Sequence, residues 1–326
     1  MNIKIRLAFL ASVIILALSA CSPHFHLDLL GTEQIKEVIL KPSPSKNKVL
    51  IVNLKGFIST SNPTSVLKKE ESMVSRISYR LEKASQDPLV KGIILCLDTP
   101  GGEVTASDII YAEILNFKKK TRLPVVALMM GVAASGGYYV ASACDFIIAH
   151  PSSITGSIGV ISVFPDVHQL MGQLGIQVNI IKSGEMKDAG SSFKKLSPKE
   201  KEIFQEIVNE HYQKFLDAIH RNREDLLSRE KLTELADGRV YTGSQALELK
   251  LIDEIGYFNA AQEKIHQLAG IRDAQLVTYT YYPQKTTNIY SAESNQKDFF
   301  KENIYLKLFQ SLPAGFYYLW LPRLEH

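Results

Sequence analysis

A serine with small residues before it and two glycines after it stands at position 135, inside Gly131-Val132-Ala133-Ala134-Ser135-Gly136-Gly137-Tyr138-Tyr139-Val140-Ala141-Ser142. The apolar run Val125 to Met130 precedes it and a small-residue helical pattern follows, so Ser135 falls at a strand-to-helix junction. The N–H groups of a first helical turn have no partner within the helix. An oxyanion forming beside Ser135 would therefore meet the N–H of Gly136. A second turn, Asp98-Thr99-Pro100-Gly101-Gly102, offers another donor, because paired glycines let the main chain approach a ligand closely. That combination suits acyl transfer through a serine nucleophile. It also describes a serine N-cap and an ordinary Pro-Gly-Gly turn, and these two segments alone do not separate the readings.

A serine nucleophile needs a base within hydrogen-bond reach. None of the eight histidines lies in a glycine-rich loop like the one around Ser135. His24, His26 and His326 are near the ends, and His211, His220 and His266 fall on charged helical stretches. His168 follows a Pro-Asp turn, and His150, after Phe146 to Ala149, is the one nearest in sequence to Ser135. A surface or packing role fits each of them better. The other candidate base is lysine, which works only when desolvation lowers its pKa by several units. Lys187 sits in a glycine-bounded loop, Ser183-Gly184-Glu185-Met186-Lys187-Asp188-Ala189-Gly190-Ser191, though position alone does not single it out. The turn Thr155-Gly156-Ser157-Ile158-Gly159 supplies hydroxyls that could orient an ammonium group, or merely a soluble glycine turn.

The elements that must carry these loops alternate along the chain. Val49–Ile58, Val90–Leu97, Val125–Met130, Phe146–Ala149, Gln177–Ile181 and Gln275–Tyr281 read as strands, most of them near-continuously apolar. Helical spacing covers Ser65–Gln86, Glu103–Lys120 and Ser135–Ala143. Ser197-Pro198-Lys199-Glu200 is a helix start with an N-cap, proline at the first helical position and a capping-box glutamate. The helix it opens runs to about Ser228, and two more are expected between Thr242 and Ala269. Buried strands alternating with helices indicate an α/β fold with parallel pairing.

The chain has 326 residues and a formal net charge of +3, so it can bury a full core and shows no basic stretch suited to nucleic acid. Its three cysteines form no disulfide framework; Cys96 and Cys144 read as buried thiols. At the N-terminus, Lys4 and Arg6 precede an uncharged run that ends in Leu18-Ser19-Ala20-Cys21, the pattern of a secretory signal. The run is shorter than the roughly 20 apolar residues a spanning helix needs. Leu-Ser-Ala-Cys resembles a bacterial lipobox, which implies cleavage before Cys21 and lipid attachment there; an uncleaved signal anchor is the alternative. The expected layout is a signal over 1–20, a tether over 21–48, a catalytic domain over 49–282, and a linker with an aromatic-rich apolar segment over 283–326, which is expected to pack on a neighbour.

Five ordered motifs together resemble the signal peptide peptidase (protease IV) family in its short bacterial form. They are TPGG at Thr99–Gly102, AASGGYYVAS at Ala133–Ser142, TGSIGV at Thr155–Val160, SGEMKDAGSSF at Ser183–Phe193 and DGRVYTG at Asp237–Gly243. The resemblance implies a crotonase/Clp-protease-like α/β fold of repeated ββα units with a C-terminal helical extension. It implies Ser135 as nucleophile, Lys187 as general base, Ser157 as the hydroxyl that holds the lysine, and the N–H groups of Gly102 and Gly136 as the oxyanion hole. No cofactor or metal is implied. Implied too are a homo-oligomer whose sites are shared between subunits, an extracytoplasmic, membrane-anchored location in the bacterial envelope, and remnant signal peptides or other unfolded polypeptides as substrates. One departure is Lys250, where the family usually has the glycine that ends a helix. Two other readings stay open: an acyl-CoA enzyme of the crotonase type, which export argues against, and a scaffold without chemistry.

Overall fold

The computed structural model describes residues 35–61, 71–281 and 315–320. The signal-like run, Cys21, His24, His26, most of the 283–326 segment and His326 lie outside the described residues. The chain divides into two units, one of residues 1–36 with 281–283 and one of residues 37–280 with 284–326. Nearly every described residue belongs to the second unit.

In chain order the first elements are β1 (Ile35–Lys41), β2 (Lys48–Lys55), α1 (Met73–Gln86), β3 (Val90–Thr99), β4 (Gly101–Glu103) and α2 (Val104–Thr121). β5 (Val125–Ala134), α3 (Gly136–Ala141), β6 (Phe146–Ala149), β7 (Ile154–Gly156), β8 (Ile161–Val163) and α4 (His168–Gln173) follow. After a 3-10 turn at Glu185–Asp188 come α5 (Pro198–Arg223), α6 (Arg229–Leu235), β9 (Val240–Thr242), α7 (Gly243–Glu248), β10 (Glu254–Ile255) and α8 (Phe258–Ala269). β11 (Gln275–Tyr281) and β12 (Gly315–Leu319) complete the set.

Nine strands form the main sheet, in the order β1-β11-β2-β3-β5-β6-β10, with β7 bridging β5 and β9. β2, β3, β5 and β6 run parallel. Strands covered on both faces need apolar residues at nearly every position rather than at alternate ones, and Val49–Val52 and Ile93–Leu97 are all buried. Val49, Ile51, Ile94, Val126, Leu128 and Ile265 meet in one core cluster. A separate three-stranded sheet has the order β4-β12-β8.

The helix expected from Ser65 starts at Met73, behind the N-cap Ser72 that accepts from the N–H of Ser75, and residues 62–70 lie outside the described residues; the start at Ser197 holds in detail. Ser197 accepts from the N–H of Glu200 at 3.3 Å and Glu200 accepts from the N–H of Ser197 at 2.8 Å, closing the capping box at the start of α5. At the other end of α5, the buried Arg223 makes a two-pronged pair with Asp253, at 3.0 and 2.9 Å, and Asp253 also accepts from the N–H of Ile147 at 2.7 Å. α5 is thus pinned to the strand that follows the nucleophile segment.

Three further expectations change. Ile35–Lys41, placed in the tether, forms β1. Gln177–Ile181 is not a strand, and its residues are exposed. A strand needs a neighbour for its N–H and C=O groups, and no described strand flanks this segment. The chain after Arg223 breaks, and a separate α6 starts at the N-cap Ser228, which accepts from the N–H of Lys231 at 3.2 Å. At Lys250 the helix end keeps its usual form. The N–H of Leu251 reaches the carbonyl of Ala246 at 2.8 Å and that of Lys250 reaches Leu247 at 3.0 Å, the double bond of a Schellman end. Lys250 takes the left-handed conformation, φ 61°, that glycine would take more cheaply.

Candidate active site

Ser135 caps the end of β5, and its backbone, φ 53° and ψ −113°, lies in a region non-glycine residues avoid. The turn is held from both sides. Its N–H donates to the carbonyl of Gly156 at 2.8 Å, and its carbonyl accepts from Tyr139 at 2.9 Å as α3 begins. Thr155 on β7 donates its hydroxyl to Ala133 at 2.7 Å, which ties the same two strands one step earlier. Such bonds fix the elbow tightly enough to sustain strain, and strain of this kind concentrates at functional positions.

Around the elbow the glycines are packed to contact. A Cβ on Gly136 would lie 2.5 Å from the hydroxyl of Ser107, and one on Gly102 would lie 2.0 Å from the carbonyl oxygen of Ile58. Gly101, at φ 98°, receives its shape from Thr99, whose hydroxyl accepts the Gly101 N–H at 3.0 Å. Ser157 also has a positive φ, 49°, and its N–H donates to Arg239 at 2.7 Å. Ser135 and Ser157 face one cavity of about 470 Å³, together with Tyr212, Asp237, Leu319 and Trp320.

Lys187 is placed differently. It sits on the 3-10 turn, its side chain exposed, and is not among the residues that line this cavity. Its turn is nevertheless anchored. Asp188 accepts from Lys182 at 2.7 Å and from Lys194 at 2.9 Å, and Lys194 also donates to the buried Glu200 at 2.7 Å. Hydrogen bonds from Lys182 and then Lys194 hold the Asp188 carboxyl down at about 2. Leu174, Ile176, Ile181 and Phe193, flanking this turn, are exposed.

None of the five described histidines lines the cavity. His150 packs edge-on against Tyr257, His168 pairs with Asp166, and burial lowers the pKa of His211 and His266. Burial raises the thiols of Cys96 and Cys144 to about 12, so both are inert core residues. Among the described residues no cluster of His, Cys, Asp or Glu could hold a metal ion.

Sequence reasoning missed two groups of residues here. Thr99 and Thr155 shape the two loops through their hydroxyls, and only their place beside the glycine motifs hints at it. Leu319 and Trp320, from the aromatic segment near the end of the chain, reach the cavity that holds Ser135, and no motif marks them.

Comparison with known proteins agrees with the geometry. The family described as Peptidase family S49 matches residues 117–272, and Clp protease matches residues 65–153. The sheet and its covering helices accordingly belong to the Clp-protease-like α/β class. A protein of Enterococcus faecium that carries the name signal peptide peptidase SppA is 32% identical over 76% of this chain and 72% of its own length. A Methanocaldococcus jannaschii protein named as a protease is 38% identical over 61% of this chain and 63% of its own. The chloroplastic serine protease SPPA of Arabidopsis thaliana is 31% identical over 78% of this chain, which spans 37% of that longer protein.

Proposed function

Because the chain belongs to peptidase family S49 and is a serine peptidase, we propose that it hydrolyses hydrophobic peptides with Ser135 as nucleophile and Lys187 of a second copy as general base. The observation that carries this reading is the strained elbow at Ser135, bonded to the turn that holds Ser157 and open to the same cavity. Ser135 attacks the scissile carbonyl and passes its proton to the Lys187 amine, which the Ser157 hydroxyl orients. The N–H groups of Gly102 and Gly136 hold the oxyanion. The lysine returns the proton to the leaving amine, and water then frees the acyl group from Ser135.

Two features support a base supplied by another subunit. Lys187 is exposed on its own chain, whereas a basic amine must be desolvated, and the apolar residues around its turn are an uncovered surface. Covering that surface with a second copy would bury both. Remnant signal peptides are the proposed substrates, in keeping with the name of the Enterococcus relative. Attachment to the outer face of a bacterial membrane, through lipid on Cys21 or an N-terminal anchor, belongs to the same proposal; among the described residues no helix is long and apolar enough to cross a membrane.

Mixing two dead variants tests the shared site. Ser135→Ala and Lys187→Ala are each inactive, and co-refolded in equal amounts they should regain about a quarter of wild-type activity, the share of sites with both groups intact. Activity retained by Ser135→Ala alone would remove the nucleophile, and no recovery on mixing would place both groups on one chain.

A further inference from the structure

The N-cap of α2 is Glu103, the neighbour of Gly102, and its side chain makes no bond to the helix it opens. Serine, threonine, aspartate and asparagine are favoured at that position because their short side chains reach the first-turn N–H groups. Here the carboxylate turns the other way. It accepts from the hydroxyl of Ser59 at 2.6 Å, from the hydroxyl of Thr60 at 2.8 Å and from the N–H of Thr60 at 2.9 Å. Bonds accepted by a carboxylate are roughly twice as strong as those between neutral groups.

The segment held in this way carries the loop of Gly102. Ile58, fully buried, donates its N–H to the carbonyl of Gly101 at 2.9 Å and accepts the N–H of Glu103 at 2.9 Å. It thereby grips both neighbours of Gly102 in an isolated parallel bridge. Its carbonyl oxygen stands 2.0 Å from where a Cβ on Gly102 would be, so the two main chains touch. β2 ends three residues earlier, and the N–H of Gly56 donates to the carbonyl of Asp98 at 2.9 Å. That bond fixes the near end of the segment, and Glu103 fixes the far end.

The same helical turn reaches the second donor. Ser107, fully buried, donates to the carbonyl of Glu103 at 2.9 Å, and its oxygen lies 2.5 Å from where a Cβ on Gly136 would stand. The two glycine loops also meet directly, since a Cβ on Gly101 would lie 2.7 Å from the nitrogen of Gly136. Residue 103 therefore bears on both loops, on one through its side chain and on the other through its carbonyl and Ser107.

We propose that Glu103 is a positioning residue of the oxyanion hole, its carboxylate clamping residues 58–60 so that the Gly102 N–H keeps its aim beside that of Gly136. The inference rests on Ser135 as nucleophile and on these two N–H groups as the donors. An oxyanion hole works because its donors are fixed before charge develops. A misplacement of about 1 Å costs about a hundredfold in rate. Glycine has no side chain to anchor its own peptide, so the direction of the Gly102 N–H has to come from its neighbours. Glu103 is not among the residues lining the cavity with Ser135, and it acts through the loop. A glutamine could hold the same three groups without the charge. Its carbonyl oxygen would accept from Thr60, and its amide nitrogen would donate to the Ser59 hydroxyl.

That exchange separates a clamp from a charge. The full chain carrying Glu103→Ala, Glu103→Gln or Ser59→Ala is assayed with an apolar fluorogenic peptide. Glu103→Ala should lower kcat about ten- to hundredfold and leave KM within about twofold of wild type. Glu103→Gln should restore most of the loss. Ser59→Ala should lower kcat less, and should have no further effect once Glu103 is alanine. A peptide aldehyde, whose adduct with Ser135 places an oxygen in the hole, should bind Glu103→Ala more weakly by the factor lost in kcat/KM. The unmodified peptide should bind Ser135→Ala equally with and without Glu103→Ala. Amide exchange over residues 56–60 and 101–103 should be faster in Glu103→Ala and return to normal in Glu103→Gln. Equal losses in the alanine and glutamine variants, a rise in KM at unchanged kcat, or full kcat with only a lower Tm would each overturn the proposal. Hydrolysis that survives in Ser135→Ala would instead overturn the catalytic assignment, and amide exchange would then decide by itself whether the clamp exists.

Discussion

The N–H of Ser135 and the carbonyl of Gly156 lie 2.8 Å apart, joining the elbow of one strand to the end of the next. This bond holds the serine at φ 53°, where a side chain is strained by about 1–3 kcal/mol. Ser135→Gly should therefore stabilise the fold by about 1 kcal/mol while lowering kcat at least about a thousandfold. Thermal unfolding and peptide hydrolysis on the same sample read both effects; an unchanged or lower Tm would mean the elbow stores no strain.

Gly102→Ala should act on the transition state. Its Cβ would stand 2.0 Å from the Ile58 carbonyl oxygen, so the loop has to shift, taking its N–H with it. Losing one oxyanion donor costs about 10²–10³ in kcat, and KM should change far less. A rise in KM alone would assign Gly102 to substrate binding.

Asp188 gives a pH dependence with a definite sign. Its folded pKa is lowered from 3.8 to about 2, so the stability it contributes is present above pH 3.8 and lost as pH falls through about 2. Asp188→Asn should have a lower Tm than wild type at pH 7, the two curves converging near pH 2. At pH 7, amide exchange across residues 185–190 should be faster in the variant.

Lys250→Gly should raise the Tm, because the left-handed helix end at φ 61° costs a lysine about 1 kcal/mol more than a glycine. The gain should appear with no change in kcat or KM, since Lys250 is not among the residues lining the cavity that holds Ser135.

The parallel core was legible in the sequence because strands covered on both faces have to be apolar throughout, as in Ile93–Leu97. So was the start of α5, where Ser197, Pro198 and Glu200 act locally. Gln177–Ile181 misled because its apolar residues satisfy a strand pattern but have no described strand to pair with, and pairing is not a local property. β12 was legible only as an apolar segment that packs on something. Its destination is set by two three-residue edges more than 150 residues earlier. The loops around Ser135 and Gly102 could be read as chemistry, while their orienting hydroxyls, Thr99 and Thr155, could not be told from strand threonines.

β7, which closes the elbow at Ser135, is itself completed by β9, Thr155 lying opposite Tyr241 and Gly156 opposite Val240. More than eighty residues separate those partners, and α5 and α6 lie between them. Pairing strands that far apart in sequence carries a loop-closure cost that local turns do not. The shape of the elbow at Ser135 thus depends on β9, which the chain reaches only about a hundred residues later. A chain cut short before β9 has the serine but not the strand that completes the turn holding it.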